Sequence, residues 1–422
     1  MTRPRGFVVA TGSELVRGDR TDRNGPFLAS ELLRLGVEPA RIAIVGDDPA
    51  ELESALREGL EADLCLVSGG LGPTHDDRTV ELVARVAGRE LVLDSALAAE
   101  IEDVSRRIAE RLRRPYADFE SGVRKQATLP EGAEPLGLAG TAPGFVLQCT
   151  GTVVVLPGPP AELRRLWPRA LETEAVRRVL QRAQAPERRV LRFYGASESE
   201  IARALAESGG EGEGVQATIC ARDFEIHVDL MVEPGGEQHA DELAVALRER
   251  VGSYLFSEDE RRVEELVLDA CRARGLTLAT AESCTGGLVA ARLTSIPGSS
   301  DVVLGGVVAY ANDVKTGELG VSAELLERHG AVSSEAAEAM AAGARARLGA
   351  GVAVAVTGVA GPEGGTDEKP VGLVYLHVQG PSGDLPRELN LPGDREAIRG
   401  RATAAALHLV RTLLAQSGHE DA

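Results

Sequence analysis

A chain of 422 residues is too long for one ordinary core, and its formal net charge of −19 excludes the basic footprint that a nucleic-acid partner requires. Its 43% hydrophobic and 26% charged content excludes a disordered composition. No apolar stretch near the start is long enough for a signal peptide or a membrane span.

The elements follow in chain order. Short apolar runs at Gly6–Ala10, Ile42–Val45 and Leu64–Ser68 alternate with helical patterns near Gly25–Leu35 and Pro49–Glu61. This is the rhythm of βαβ units and a parallel sheet. Strands at Gly144–Gln148 and Val153–Leu156 follow, the second ending in Pro157-Gly-Pro-Pro160. Beyond about Leu163 the character changes to α+β. A strand at Val190–Tyr194, a helix at Ser197–Glu207 and a Gly/Glu loop at Ser208–Gly214 precede a period-two strand at Phe224–Val232. That alternation puts His227 on the polar, solvated side. From Ser257 a last α/β unit carries strands at Thr277–Ala281, Val302–Tyr310, Val352–Thr357 and Gly372–Val378. It has helices to Arg274, from the Gly286–Leu293 region, at Ser334–Leu348 and after Asp394, then a polar tail at Gln416–Ala422. The domain boundaries expected are 1–165, 166–256 and 257–418.

Five scattered cysteines without zinc-ligand spacing read as reduced thiols in a cytoplasm. Of the 46 cationic side chains only Lys125, Lys315 and Lys369 are lysines. In so arginine-rich a chain they mark places where a guanidinium cannot do the work, since only an amine can lose its proton when desolvated.

Two constellations carry chemistry. In the first, Thr11-Gly-Ser-Glu14 and Asp22-Arg-Asn24 accompany the run Ser68-Gly-Gly-Leu-Gly-Pro-Thr-His-Asp-Asp77 at a strand end before a helix. Glycine-rich turns there offer backbone N–H groups to phosphate, and Asp22, Asp76 and Asp77 are hard oxygen ligands for Mg²⁺ or a similar ion. Tight turns and helix caps are the plain alternative. In the second, Ala281-Glu-Ser-Cys-Thr-Gly-Gly287 ends a strand and is followed by Pro297-Gly-Ser-Ser300, Tyr310 and Lys315. A serine, a tyrosine and a neutral lysine together make an amidase site. A surface turn, a strand-end tyrosine and an exposed lysine are the alternative. Cys284 is either a rival nucleophile or a small buried side chain.

These residues, together with Gly140-Thr-Ala-Pro-Gly-Phe145, Ala309-Tyr-Ala-Asn312, Gly330-Ala-Val-Ser333, Thr357-Gly-Val-Ala-Gly-Pro362, Lys369-Pro-Val-Gly372 and Gly393-Asp-Arg395, resemble the CinA (competence-damage-inducible protein A) family. The resemblance implies a three-layer molybdopterin-binding-like α/β domain, a small KH-like α+β middle domain and a C-terminal α/β deamidase domain. For the first domain it implies metal-dependent hydrolysis of ADP-ribose, with matching positions Glu14, Asp22, Asn24, Gly69, Gly70, Thr74, Asp76, Asp77, Lys125 and Thr141. A non-catalytic nucleotide- or pterin-binding or oligomerisation module is the alternative. Val123 and Gly137 stand where the family pattern has Asn. For the last domain it implies cofactor-free deamidation of nicotinamide mononucleotide (NMN). Ser300 is the nucleophile, Tyr310 its tyrosine and Lys315 the base. Ser283, Thr285, Gly286, Thr357 and Arg395 are pocket residues, with Arg395 and the N–H groups around Ser283–Gly287 on the 5′-phosphate. Lys369 closes a loop over the ligand or pairs with Asp367 or Glu368. The partners implied are small nucleotides, with neither nucleic acid nor membrane, and a homo-oligomer, a dimer.

Overall fold

The computed structural model describes residues 3–381 and 383–416, which form two compact units that meet between Pro186 and Glu187. Residues 417–422 of the expected polar tail lie outside the described residues, and Gln416 ends the last helix.

The first unit is built on a six-stranded sheet in the order Glu38–Val45, Arg5–Thr11, Leu64–Ser68, Thr152–Leu156, Pro143–Gln148, Glu134–Leu138. The first four strands are parallel, as the βαβ rhythm predicts. Pro143–Gln148 runs against them, because only Cys149–Gly151 links it to Thr152–Leu156 and so short a turn joins only antiparallel strands, and Glu134–Leu138, antiparallel to it in turn, runs with the first four again. Both faces are covered, which makes three layers. Phe7, Val9, Cys65 and Val67 face Leu52, Leu56, Leu82 and Ile101 on one side. Val8, Leu64 and Leu66 face Leu28, Leu32, Leu163 and Trp167 on the other. Helix Pro160–Glu172 and the following Glu174–Leu180 pack into this second core, so the unit continues well past position 165.

The second unit holds two sheets. Strands Val215–Arg222, Glu225–Val232, Glu187–Phe193 and Leu255–Ser257 pair antiparallel in that order, with helices Glu198–Glu207 and Glu237–Val251 on one face. The other sheet runs Val303–Val308, Leu278–Glu282, Val352–Gly358, Leu373–Gly380, Gly383–Asn390, the first three parallel and the last two antiparallel. Ala279, Ala281, Ala353 and Ala355 line one face and receive Ala336, Met340, Ala341 and Ala344 of helix Ser334–Leu348. The opposite face packs on helices Val263–Ala273 and Arg395–Gln416.

The expectation of a solvated His227 is overturned. Its ring is 5% exposed, because the polar side of strand Glu225–Val232 is covered by helix Arg395–Gln416. Glu225 is buried there, with His408 Nε2 at 2.8 Å from Oε1 and His227 Nε2 at 3.4 Å from Oε2. Tyr194 stacks on the His408 ring at 3.8 Å and Phe256 meets it edge-on. Burial works against the Glu225 anion, but the two histidine hydrogen bonds outweigh it and hold the carboxyl at about 2. Burial also lowers the His408 pKa below 6.5, which keeps the ring neutral.

Both shifts run the same way. A depressed histidine withdraws stability as pH falls below the unfolded value of 6.5, and a depressed carboxyl does so below 4.5. Thermal unfolding of the second unit should therefore weaken in two acid steps. Glu225→Gln should lower stability at neutral pH by about 1–3 kcal/mol and flatten the step below 4.5, read from melting curves across pH. An unchanged melting profile would count against this account.

Candidate active site

In the first unit the strand ends Thr11, Ser68 and Leu156 converge, and Gly69 and Gly70 separate two clefts. A Cβ at Gly70 would lie 2.1 Å from Thr79 Oγ1, and its φ of +65° also requires glycine. One cleft, of about 630 Å³, is lined by Gly70, Gly72, Asp77, Arg78, Arg124 and Lys125. The other, of about 660 Å³, is lined by Glu14, Arg20, Asp22, Asn24 and Gly158. The expected N-terminal residues are thus divided between two clefts rather than gathered in one.

Several are already engaged. The Asp22 carboxylate accepts from the Asn24 and Gly25 N–H groups and caps helix Asn24–Arg34. The buried Asn24 amide donates to Ser68 Oγ at 2.8 Å and to the Gly158 carbonyl at 2.7 Å, tying two strand ends together. Asp77 accepts from the Thr74 N–H and hydroxyl. Asp76 is exposed, with its pKa lowered first by the Thr74 hydroxyl. Among the described residues no group of three or more His, Cys, Asp or Glu side chains is arranged to hold a metal ion. Asp22 and Asp77 line different clefts. Lys125 Nζ donates to the Thr74 carbonyl, fastening the loop that carries Asp76 and Asp77. Glu14 is exposed on the short helix Ser13–Val16, and Thr141 is half-buried beside strand Pro143–Gln148. Val123 is buried in the core, turned to packing. Gly137 takes a left-handed φ of +74°, a conformation that Asn also tolerates.

In the second unit the sheet brings Ser283, Tyr310, Lys315, Thr357 and Arg395 to one end. Ser283 follows strand Leu278–Glu282, Tyr310 lies just beyond Val303–Val308, and Lys315 lies in helix Asn312–Leu319. The Lys315 side chain is 1% exposed. Its Nζ lies 2.8 Å from the Ala309 carbonyl, 3.4 Å from the Tyr310 carbonyl and 3.2 Å from Ser283 Oγ. All three partners are uncharged oxygens, and desolvation pulls the amine below its ordinary 10.5. Nζ donates to all three oxygens, and desolvation favours the free base, whose lone pair can take the Ser283 hydroxyl proton.

Arg395 donates 2.8 Å to Tyr310 Oη and 2.6 Å to the Gly361 carbonyl, so it positions the tyrosine. Thr357 Oγ1 is bonded to the Ala331 carbonyl at 2.7 Å. Thr285 is fully buried and its hydroxyl has no hydrogen-bond partner. Gly286 is exposed, with a left-handed φ of +62°. Lys369 Nζ donates to the His329 carbonyl at 2.7 Å, and it forms no ion pair with Asp367 or Glu368 among the described residues.

Ser300 is not among this group. It is exposed in the turn Ser299–Asp301, which precedes strand Val303–Val308, whereas Tyr310 and Lys315 follow that strand. Six residues of strand, roughly 16 Å or more, separate them in one chain.

Two engaged residues were missed at the sequence level. Glu282 is buried, and its carboxylate accepts from the N–H groups of Gly287, Val289 and Ala290. It occupies the anion position that the sequence reserved for a substrate phosphate, so the turn holds its own carboxylate. An acidic residue closing a buried strand ahead of a glycine turn was the available signal. Arg399 fastens the same turn from outside, through the Cys284 and Thr285 carbonyls at 3.1 and 2.8 Å. Nothing in the sequence singles it out among 43 arginines.

Three family models match successive parts of the chain: a "probable molybdopterin binding domain" over 7–177, a "damage-inducible protein CinA KH domain" over 188–257, and a "CinA C-terminal domain" over 260–414. A CinA-like protein of Mycolicibacterium paratuberculosis is 46% identical, over 97% of this chain and 98% of its own length. A CinA-like protein of Mycobacterium tuberculosis is also 46% identical, with 97% of each chain covered. Among solved structures, the competence/damage inducible protein CihA of Agrobacterium tumefaciens is 45% identical, over 37% of this chain and 99% of its own, with a TM-score of 0.35.

The rival nucleophile has a clear electrostatic fate. Burial pushes the Cys284 thiol up to about 11, so it stays protonated near neutrality. Iodoacetamide at neutral pH should leave Cys284 unmodified in the folded protein and label it after denaturation, read by peptide mass mapping. Rapid labelling of the native chain at this position would contradict a buried thiol.

Proposed function

The chain belongs to the CinA family, and we propose that its C-terminal region hydrolyses the carboxamide of NMN to nicotinate mononucleotide and ammonia. The observation that carries this reading is Lys315: a buried amine with uncharged partners, in contact with a serine hydroxyl. Desolvation lowers its pKa and so favours the free base, a form that arginine does not reach.

The chemistry follows from that. The Ser283 oxygen adds to the carboxamide carbon while its proton passes to Lys315, the amine it touches. Collapse of the adduct breaks the C–N bond, and the lysine proton leaves with ammonia. Water then attacks the acyl ester, gives its proton to Lys315, and the carboxylate and free serine are released. Ser300 is the attacking serine that the resemblance implies, but a strand separates it from Lys315 within one chain, so the geometry favours Ser283 as nucleophile. Tyr310, oriented by Arg395, borders the reacting end. No metal or cofactor enters these steps.

For the first unit the favoured reading is nucleotide binding without turnover. Its basis is the engagement of Asp22 and Asp77 by their own loops beside a cleft that presents Arg78, Arg124 and Lys125.

Two measurements separate these readings. Lys315→Arg keeps the charge and removes the base, so ammonia release from NMN should fall roughly 10²–10⁴-fold. Loss of wild-type rate on acidification, as the free amine becomes protonated, should begin below pH 10.5; Lys315→Arg turnover equal to wild type would sink the lysine assignment. With ADP-ribose, the intact protein should bind, seen by calorimetry, without releasing AMP. Gly72→Val, whose Cβ would meet Asp77 Oδ2 at 2.3 Å, should weaken that binding about tenfold or more. AMP release would restore the hydrolytic reading.

A further inference from the structure

The KH-like sheet meets the C-terminal region through a turn that its own sequence disfavours. Strands Val215–Arg222 and Glu225–Val232 form a hairpin in which Arg222 pairs with Glu225, so Asp223 and Phe224 alone make the turn. Both are left-handed, with φ of +53° and +67°. That is the pattern of a type I′ turn, which Asn-Gly satisfies readily and a bulky aromatic second residue does not. Burial does not explain the choice, since Phe224 is 39% exposed. Backbone in such a conformation persists only where the surrounding contacts over-determine it.

Those contacts come from helix Arg395–Gln416. The Phe224 ring lies against the helix at Gly400, where a Cβ would come within 2.3 Å of Cε2 and 2.8 Å of Cζ. The Arg401 guanidinium stands over the ring, 5.0 Å from its centroid. Glu225, the next residue of the hairpin, is bonded by His408 of the same helix at 2.8 Å. The hairpin thus grips the helix at two places about two turns apart. Immediately before Gly400 comes Arg399, whose guanidinium bonds the Cys284 and Thr285 carbonyls at 3.1 and 2.8 Å. One turn earlier, Arg395 bonds Tyr310 Oη and the Gly361 carbonyl.

We propose that Phe224 and Gly400 are positioning residues for the reaction: the ring, seated in the notch that the missing Cβ leaves, sets the helix so that Arg399 holds the turn carrying Ser283 against Lys315. The chain of contacts is short. Ser283 Oγ lies 3.2 Å from Lys315 Nζ, and the residue after Ser283 is the first whose carbonyl Arg399 holds. A slip of the helix reaches this pair directly, and a misplacement of about 1 Å between reacting groups costs on the order of 100-fold in rate. A glycine inside a helix is unfavourable beside alanine, as a left-handed phenylalanine is beside glycine. The two unfavourable residues meet at one contact, and each accounts for the other.

This inference rests on the NMN reading, and two readouts keep the two apart. Phe224→Gly suits the left-handed turn and Gly400→Ala suits the helix, so both proteins should fold, checked by circular dichroism. Each should lower kcat for ammonia release about tenfold or more, with KM for NMN within about twofold of wild type, because the serine–lysine pair moves while the substrate keeps its own contacts. The double variant should be no slower than the slower single one, since both changes break one contact, whereas independent effects would multiply to about 100-fold. Asp223→Gly relieves the other left-handed residue and keeps the ring, so it should run at the wild-type rate. Both single variants should also let iodoacetamide label Cys284 about tenfold faster or more at neutral pH, because a loosened Arg399 frees the turn. A kcat near wild type in Phe224→Gly and Gly400→Ala would overturn the positioning role, as would a multiplied loss in the double variant or an equal loss in Asp223→Gly. If the wild-type protein releases no ammonia from NMN, the NMN reading falls on that result, and Cys284 labelling alone decides the positioning: rates unchanged from wild type would overturn it.

Discussion

A buried amine with no charge to answer it is the constraint around which the C-terminal region is arranged. Taking an ammonium out of water costs several kcal/mol unless an anion or a set of dipoles compensates, and burial of this kind lowers a lysine's pKa. Lys315 has two carbonyls and a hydroxyl. The carbonyls belong to Ala309 and Tyr310, so the cage is made by the chain as it leaves the outer strand. Any residue that fixes that exit, such as Arg395 through Tyr310 and Gly361, also fixes the amine.

The Ser283 turn faces the opposite demand. Its glycines give the backbone the left-handed conformations of Gly286 and Gly287, but a glycine turn by itself is pliable. Glu282 stiffens it with three charge-assisted hydrogen bonds, and Arg399 holds its outward carbonyls. The cost is that these N–H groups no longer serve a substrate anion. Arg399 comes from the same helix as His408, whose neutral ring rests against Glu225. One helix therefore supports the reacting turn and closes over the polar face of the KH-like sheet.

The sequence made some of this legible for local reasons. Leu64–Ser68 and Ser334–Leu348 appear with the bounds that their apolar period and flanking glycines indicate, because nothing tertiary overrides those signals. His227 was misread since period-two alternation says which residues share a face but not whether another helix covers it. The divided N-terminal clefts were hidden for a similar reason. Motif order places Asp22 and Asp77 near strand ends, yet only the path of Ser68–Gly70 between them shows that they face apart. For Ser300 and Lys315, fifteen positions apart in the sequence, closeness along the chain suggested closeness in space. An intervening strand is the one element that makes such neighbours distant.

The three lysines share a geometry that explains why arginine did not replace them. Each Nζ donates to a backbone carbonyl: Lys125 to Thr74, Lys315 to Ala309, Lys369 to His329. A guanidinium is wider and presents a planar fork, which matches a carboxylate better than one carbonyl in a tight recess. At Gly330, where a Cβ would come within 2.7 Å of Lys369 Nζ, no such width is free. Lysine at 125 and 369 is accordingly a matter of shape, since one amine holds a loop and the other a helix end, and neither amine meets a hydroxyl. At 315 shape and chemistry coincide: the same recess that excludes a guanidinium also strips water from the amine, and the hydroxyl it meets is then a place for the proton to come from.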